Sequence, residues 1–416
     1  MAPGNQPGQP DTVISIPAVD ADPTRPPCAY ARLRIEQPIV KARLPNGETG
    51  WLLSRYADVR AAFADPRLVR PLLSAWPVHE GTQPPQCLPT FLEMNGEHHN
   101  RVLRTVLPLF GRRHLQRMIP RIQTMVEQLI DNMEASGETA DLVTSFAEPL
   151  PLQVLCDTIG LPHIDRDVYL PHTLTLLSAA GRPQDEVLAA LYALQDYASQ
   201  LIDHKEREGG DDYICLLLRE SRRAGGELTR DDVVSFVVTM LMAGYKTNIQ
   251  HTSNALLALL THPEQLRHLR ENPEKIDNAV EELLRYVPLM NAINILVASE
   301  DFTLHGQRIH AGDAVLPVIA SANHDPAIFI NPGNLDLTRT PNPHVAFGHG
   351  PHRCTGAHLT RLQLTVALRV LFERLPGLEL SEPAHTLTWD DSTPLRAPAR
   401  LPVRWGTASQ TLGRGM

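Results

Sequence analysis

The sequence predicts a mainly α-helical chain with a minor β portion, built as a single large domain. Three observations carry this. Long segments repeat apolar residues at helical spacing and end on recognisable caps. Strand-like pieces are few and short. No internal repeat or long linker follows the first residues.

In chain order, "GEHHNRVLRTVLPLF" predicts a helix over residues 97–109, and "LQRMIPRIQTMVEQLIDNMEA" a second. "DEVLAALYALQDYASQLIDHKERE" is amphipathic with a charged end. The longest segment is "LTRDDVVSFVVTMLMAGYKTNIQHTSNALLALL". Thr229 followed by Asp232 matches a capping box, and "THP" stops the pattern after Leu260. Read as one helix it is about 48 Å long, a central beam that sets Lys246 near the middle of the molecule. A lysine there raises a question, because its ammonium is rarely buried without a partner. "NPEKIDNAVEELLRYVP" gives another helix. "ILVASEDFTL", "QRIHAGDAVLPVIASAN" and "LTWDDSTPLRAPARLPVRW" are strand-like, and a Pro/Asn-rich meander fills residues 323–344. The last helix carries Leu359, Leu362, Val366 and Val370 on one face and stops at Pro376-Gly377.

With 416 residues the chain can bury a large core. Its net charge of −9 sets up no basic field for nucleic acid or an anionic membrane. Five scattered cysteines without a CxxC pair fit a reducing cytoplasm better than a disulfide framework. Residues 1–27 read as a flexible Pro/Gly-rich leader without a signal-peptide core, 28–406 as the domain, and 407–416 as a flexible tail. No apolar run approaches the ~18–20 residues of a membrane span.

The chemistry centres on "FGHGPHRCTG". Cys354 falls at or just before the last helix, where unpaired N–H groups and the macrodipole favour thiolate. Gly350 and Gly356 let the backbone pass close to a flat or bulky group. Other readings stand beside this one. A lone cysteine is commonly a small buried hydrophobe. A zinc site from His344, His349, His352 and Cys354 lacks CxxC and HxxxH spacing. A phosphate loop lacks its lysine and preceding strand.

Phe347-x-x-Gly350-x-x-x-Cys354-x-Gly356 resembles the haem-ligand loop of the cytochrome P450 family, the haem-thiolate monooxygenases. "EELLR" alone reads as an exposed helical ion pair. In this order it resembles the family's ExxR pair, at Glu282 and Arg285, with Arg339 as third member of a buried network. The resemblance spans roughly residues 90–405 and implies a cytochrome P450-like domain whose long helix is the distal helix. It implies haem b and O2, with Cys354 as axial thiolate and metal ligand. Phe347 packs near the sulfur, and His99 and His352 bind the haem propionates. Ala243-Gly244-Tyr245-Lys246-Thr247 is similar to the family's AGxxT. There Ala243 and Gly244 give dioxygen room, and Thr247 hydrogen-bonds toward it.

Two departures follow. Lys246 stands where the family has an acid. It is read as a structural ion pair with Asp185, Glu186 or Asp196, as an altered proton relay, or as a substrate contact. Arginines expected for the propionates are Leu103 and Leu296, leaving Arg101 and Arg104 as substitutes, or an unidentified basic residue. The expected pocket holds Thr239, Met240, Ala243, Leu289, Met290, Asn291, Ile293 and Asn294. "LSAWPVHEGTQPPQCLPTFLEMN" and "LTLLSAAGRPQ" form its lid. The resemblance implies hydroxylation of a small organic molecule in specialised metabolism, with electrons from a separate ferredoxin or flavodoxin and its reductase. Oxidative coupling of an aromatic or cyclic-peptide substrate and a non-catalytic haem-binding partner or sensor are the alternatives.

Overall fold

The computed structural model describes residues 13–406, except 19, 21, 23, 45–46, 73–86, 163–164, 180–181, 224–226 and 291–293. Two kinds of core hold these residues together, one between helices and one on each face of a sheet.

The first helices, α1 (Ala29–Glu36) and α2 (Tyr56–Ala64), pack against the sheet and had no distinct sequence signal. α3 (Gly96–Val106) continues into a 3₁₀ turn at Leu107–Phe110. α4 (Arg112–Ser136) keeps its course through Pro120 because its inner face is continuous. Leu115, Met118, Ile122, Val126, Leu129 and Met133 are all buried. Then come α5 (Pro149–Ile159), α6 (Arg166–Leu177), α7 (Gln184–Glu208) and α8 (Tyr213–Arg222).

The predicted central beam is two helices, α9 (Arg230–Gly244) and α10 (Lys246–Thr261). Its N-terminus is the expected capping box, Thr229 with Asp232. The single-helix reading fails at Tyr245 for a local reason. The Thr247 hydroxyl donates to the Ala243 carbonyl, and the Asn248 amide donates to the Gly244 carbonyl at 2.7 Å. Side chains therefore serve two carbonyls that the next helical turn normally serves. The Asn248 N–H turns to Tyr245 instead, and the ladder opens. α11 (Pro263–Glu271), α12 (Ile276–Tyr286), the short α13 (Ile319–Ala322) and α14 (Ala357–Arg374) complete the helices, with α14 packed on α4.

The main sheet joins chain segments far apart in sequence. Its strands are β1 (Ile14–Ser15), β2 (Ile39–Arg43), β3 (Thr49–Leu53) and β4 (Leu68–Val69) from the first part of the chain. β5 (Thr139–Asp141) lies in a separate small sheet. From the later part come β6 (Leu296–Ala298), a hairpin of β7 (Phe302–Leu304) and β8 (Gln307–Ile309), and β9 (Ala314–Pro317). The six-stranded order is β1-β2-β3-β9-β6-β4, with Trp51 beside Val315 and Leu68 opposite Ala298. β10 (Glu379–Leu380) and β11 (Pro402–Arg404) pair with β5.

Two expectations change here. Ile14 pairs with Ala42, and Ile14 and Ile16 pack on the core around Tyr30 and Leu52. Within the expected flexible leader of residues 1–27, Ile14 and Ile16 are thus anchored, while residues 1–12 and the tail 407–416 lie outside the described residues. In "LTWDDSTPLRAPARLPVRW" only Pro402–Arg404 is a strand. The rest is a loop whose Leu395 bridges Met290 and whose Trp389 bridges Pro398.

Candidate functional site

The cysteine loop is shaped by glycine. Gly350 has φ +72°, and a Cβ there would lie 2.3 Å from the Phe63 carbonyl oxygen, so no other residue fits without displacing backbone. The Cys354 N–H donates to the Phe347 carbonyl at 2.9 Å, and Gly356 precedes α14. Cys354 thus sits three residues before the helix rather than at its first turn. It lines a cavity that is also lined by Ala243, Gly244 and Thr247 at the α9–α10 break. The surface that Cys354 shows opens into this cavity, so the residue is accessible yet deep. Burial pushes its thiol up, against the expectation of a lowered value. N–H groups of Gly356 and Ala357 and the charges of Arg361 and Arg353 oppose that rise without cancelling it.

Phe347 is buried under this loop, with the Arg361 guanidinium 4.6 Å from its ring centroid. Arg361 and His344 both donate to Glu281. Burial raises the Glu281 carboxyl, but those donors outweigh it and hold the group at about 2. Behind them lies the expected ion network. Glu282 Oε2 accepts from Arg285 Nε at 2.7 Å and Arg339 Nε at 3.0 Å, all three residues being buried. Arg285 also donates to the carbonyls of Asn323 and Pro332, tying α12 to the meander.

From the distal side Thr239, Met240, Ala243, Gly244 and Thr247 line the cavity as expected, and Leu289, Met290 and Asn294 join them. The Thr239 hydroxyl is engaged twice, donating to the Ser235 carbonyl and accepting from the Phe91 N–H. Asn291 and Ile293 lie outside the described residues, as does most of the first lid segment.

Lys246 is not part of the lining. Its Nζ lies 2.6 Å from Asp390 Oδ2 in the loop before β11, which corrects the three partners expected from α7 and its approach. That loop is pinned beside α10, since Asn254 donates to the Arg396 carbonyl and the Arg396 N–H donates to Leu289. The acid therefore comes from the loop packed nearest to Lys246.

At the cavity edge His99 and His352 meet with ring centroids 4.1 Å apart, and Phe91 stacks on the far face of His99. The substitutes Arg101 and Arg104 do not reach them. Arg101 is drawn to Asp232, the capping acid of α9, and Arg104 to Glu97 and Glu227 on the surface. The arginines that line the cavity are Arg353, in the cysteine loop, and Arg70, directly after β4, which sequence reasoning missed. No motif surrounds it. Asn248 and Gln363 were missed as well. Asn248 was the more legible, as the residue after Thr247.

The donor set can be tested against the groups considered from sequence. The zinc set does not converge, because His344 bonds Glu281 and His349 faces Arg60. Among the described residues no group of three or more metal-ligating side chains gathers. One soft sulfur on the cavity floor with basic side chains at one edge fits an iron porphyrin bearing carboxylates. The Nε2 of Gln363, buried and without a partner among the described residues, faces the same cavity. Among the described residues no helix is long and apolar enough to cross a membrane.

Comparison with known proteins agrees with this geometry. Residues 185–376 match the family model described as Cytochrome P450. The chain is 37% identical to the mycinamicin IV hydroxylase/epoxidase of Micromonospora griseorubida, over 90% of this chain and 94% of that one. It is equally similar, at 37%, to the nocardicin C N-oxygenase of Nocardia uniformis subsp. tsuyamanensis, with the same coverage. Among solved structures, the LnmA cytochrome P450 hydroxylase from the leinamycin biosynthetic pathway of Streptomyces atroolivaceus S-140 superposes with a TM-score of 0.83. It shares 37% identity over 94% of this chain and 100% of that one. The chain belongs to the cytochrome P450 family and is a monooxygenase that uses haem b with O2 as co-substrate.

Proposed function

We propose that the protein hydroxylates a C–H bond of a largely apolar small molecule in a tailoring step of specialised metabolism, with Cys354 as the iron ligand. One observation carries this reading: Cys354 and the helix break at Ala243, Gly244 and Thr247 line one and the same cavity. Haem bound there supplies oxygen activation, which a thiolate ligand promotes by pushing electron density toward the iron.

The chain's residues then have separable tasks. Ala243 and Gly244 keep the distal wall low. The Thr247 hydroxyl, parked on the Ala243 carbonyl, can rotate its proton into the cavity at Oγ1. Lys246 is held by Asp390 outside the lining, which favours its structural role and speaks against a lysine that blocks the iron. Phe91, Phe236, Met240, Leu289 and Met290 offer an apolar substrate wall, with Asn294 as a polar contact. Relatives named for tailoring natural products support the metabolic setting. Exposed Arg353 lies in the Cys354 loop, exposed Arg60 bonds its His349 and exposed Arg112 lies near His358 just after it, a positive face suited to an acidic ferredoxin or flavodoxin that brings electrons from its reductase.

The test is Cys354→Ser, read by the absorption of the reduced, carbon monoxide-bound protein. The unsubstituted chain gives the red-shifted Soret band of thiolate-ligated haem, and the variant loses it together with turnover. A variant that keeps the band and the turnover overturns the assignment.

A further inference from the structure

We propose that Arg70 is the main cation for the haem carboxylates, taking over across the sheet from the two positions occupied by Leu103 and Leu296. The inference rests on the haem-site reading above and adds a residue that no motif marks.

Three independent observations converge on it. The first is position. β4 and β6 are antiparallel, with Leu68 opposite Ala298 and Val69 opposite Val297. The same register, continued by one residue, sets Arg70 opposite Leu296. Directly opposed residues of an antiparallel pair project to the same face of the sheet. A guanidinium on residue 70 therefore issues from the same side of the same sheet as an arginine on residue 296 would, one strand over.

The second is environment. Arg70, His99 and His352 line one edge of the cavity. The backbone of Arg70 is clamped on both sides by Asn95, whose Oδ1 accepts from the Arg70 N–H at 2.9 Å and whose Nδ2 donates to its carbonyl at 3.0 Å. That clamp fixes the direction in which the side chain leaves. Among the described residues no carboxylate pairs with the guanidinium. Burial drags its pKa down to about 10, and no acid among the described residues restores it. A desolvated cation with no counter-charge is costly to keep, and the cost disappears if the cavity's ligand brings the anion.

The third is elimination. Leu103 packs with the helical core and Leu296 is buried. Arg101 and Arg104 are spent on Asp232, Glu97 and Glu227. Arg353 also borders the cavity, but it is exposed and lies near His349. His99 and His352 can each donate one N–H while neutral. Arg70 is left as the half-buried, permanently charged donor lining the cavity, and its planar fork suits a carboxylate.

The experiment compares haem with haem dimethyl ester, whose carboxylates are blocked, in the full-length protein and in Arg70→Leu and Arg70→Lys. The rate of haem loss to apomyoglobin and the ferric/ferrous midpoint potential are the readouts. The unsubstituted protein is expected to hold haem at least about tenfold longer than the ester, as loss of one charge-assisted pair implies. Arg70→Leu should release haem about tenfold faster and show little preference over the ester. Arg70→Lys should lie between the two, and Leu296→Arg placed in Arg70→Leu should restore retention. Arg70→Leu with unchanged haem loss and an unchanged preference over the ester overturns the proposal. The thiolate Soret band separates the two readings. If the band is present while Arg70→Leu is silent, only the Arg70 assignment fails; if the protein takes up no haem, both fail.

Discussion

The pairing of Lys246 with Asp390 makes a quantitative claim. The ion pair is 2.6 Å long, and the two side chains are only 19% and 18% exposed. With charge centres about 4 Å apart and an effective dielectric near 20, the gross attraction is about 4 kcal/mol. Partial desolvation of both groups returns much of that, so the net coupling should be about 1–2 kcal/mol. Burial alone raises the Asp390 carboxyl, but the bond from Lys246, with help from the Ser392 N–H, outweighs it and holds the group below its ordinary range. The coupling is therefore fully present above the ordinary carboxylate range and fades as acid titrates Asp390 through its lowered value. Lys246→Met, Asp390→Asn and the double variant, unfolded in denaturant at pH 7, form the cycle. The double variant should be less destabilised than the sum of the singles by that coupling. A second readout is hydrogen peroxide released per electron pair consumed. Lys246→Met should leave it unchanged, because Nζ points at Asp390 rather than into the cavity. Additivity within about 0.3 kcal/mol, accompanied by a jump in peroxide release, would refute the structural pair and reinstate a proton relay.

Two further outcomes follow from single positions. Gly350→Ala forces a Cβ into the Phe63 carbonyl at a positive φ, so it should cost more than about 2 kcal/mol and lower haem occupancy, and normal occupancy with an unchanged melting temperature would contradict the loop geometry. His324 is buried with its pKa depressed from 6.5 to about 3, mainly by desolvation and then by Arg285. The unfolded chain takes up its proton first. Stability is thus intact above pH 6.5 and falls as pH drops toward 3, by at most about 1.4 kcal/mol per pH unit from this group. His324→Gln should flatten that slope in unfolding curves taken at several pH values, and an unaltered slope would remove His324 from the account.

What the sequence made legible is what lies close together along it. The ExxR pair is one helical turn, the cysteine loop is ten residues, and the Thr229 cap is three, so their geometry is nearly fixed by local chemistry. The sheet was only half legible. β3 and β4 are short, and their partners β9 and β6 come from far along the chain, so no local period announces those pairings. The break at Tyr245 depended on whether Thr247 and Asn248 turn back on their own helix or outward, which their identities leave open. Lys246 met its acid from the loop before β11 rather than from α7, and sequence distance carries no information about that choice.

The least legible part of the site is also the part where the protein is electrostatically incomplete. At the cavity floor Cys354 is buried deeply enough that its thiol is pushed up, despite two backbone donors and two arginines nearby. At the edge Arg70 is desolvated with no acid beside it among the described residues. Neither feature is satisfied among the described residues: burial keeps the Cys354 sulfur in its neutral thiol form, and the Arg70 cation has no acid beside it. They have opposite needs, a soft cation for the sulfur and an anion for the guanidinium. An iron porphyrin with two carboxylates meets both with one rigid molecule. A sequence pattern can find the first need, because a cysteine between glycines stands out. The second is found only when the strand register carries Arg70 to the position opposite Leu296. Binding the cofactor and completing the charge balance of the core are thus one event, and a chain lacking either group should hold haem less tightly while keeping its fold.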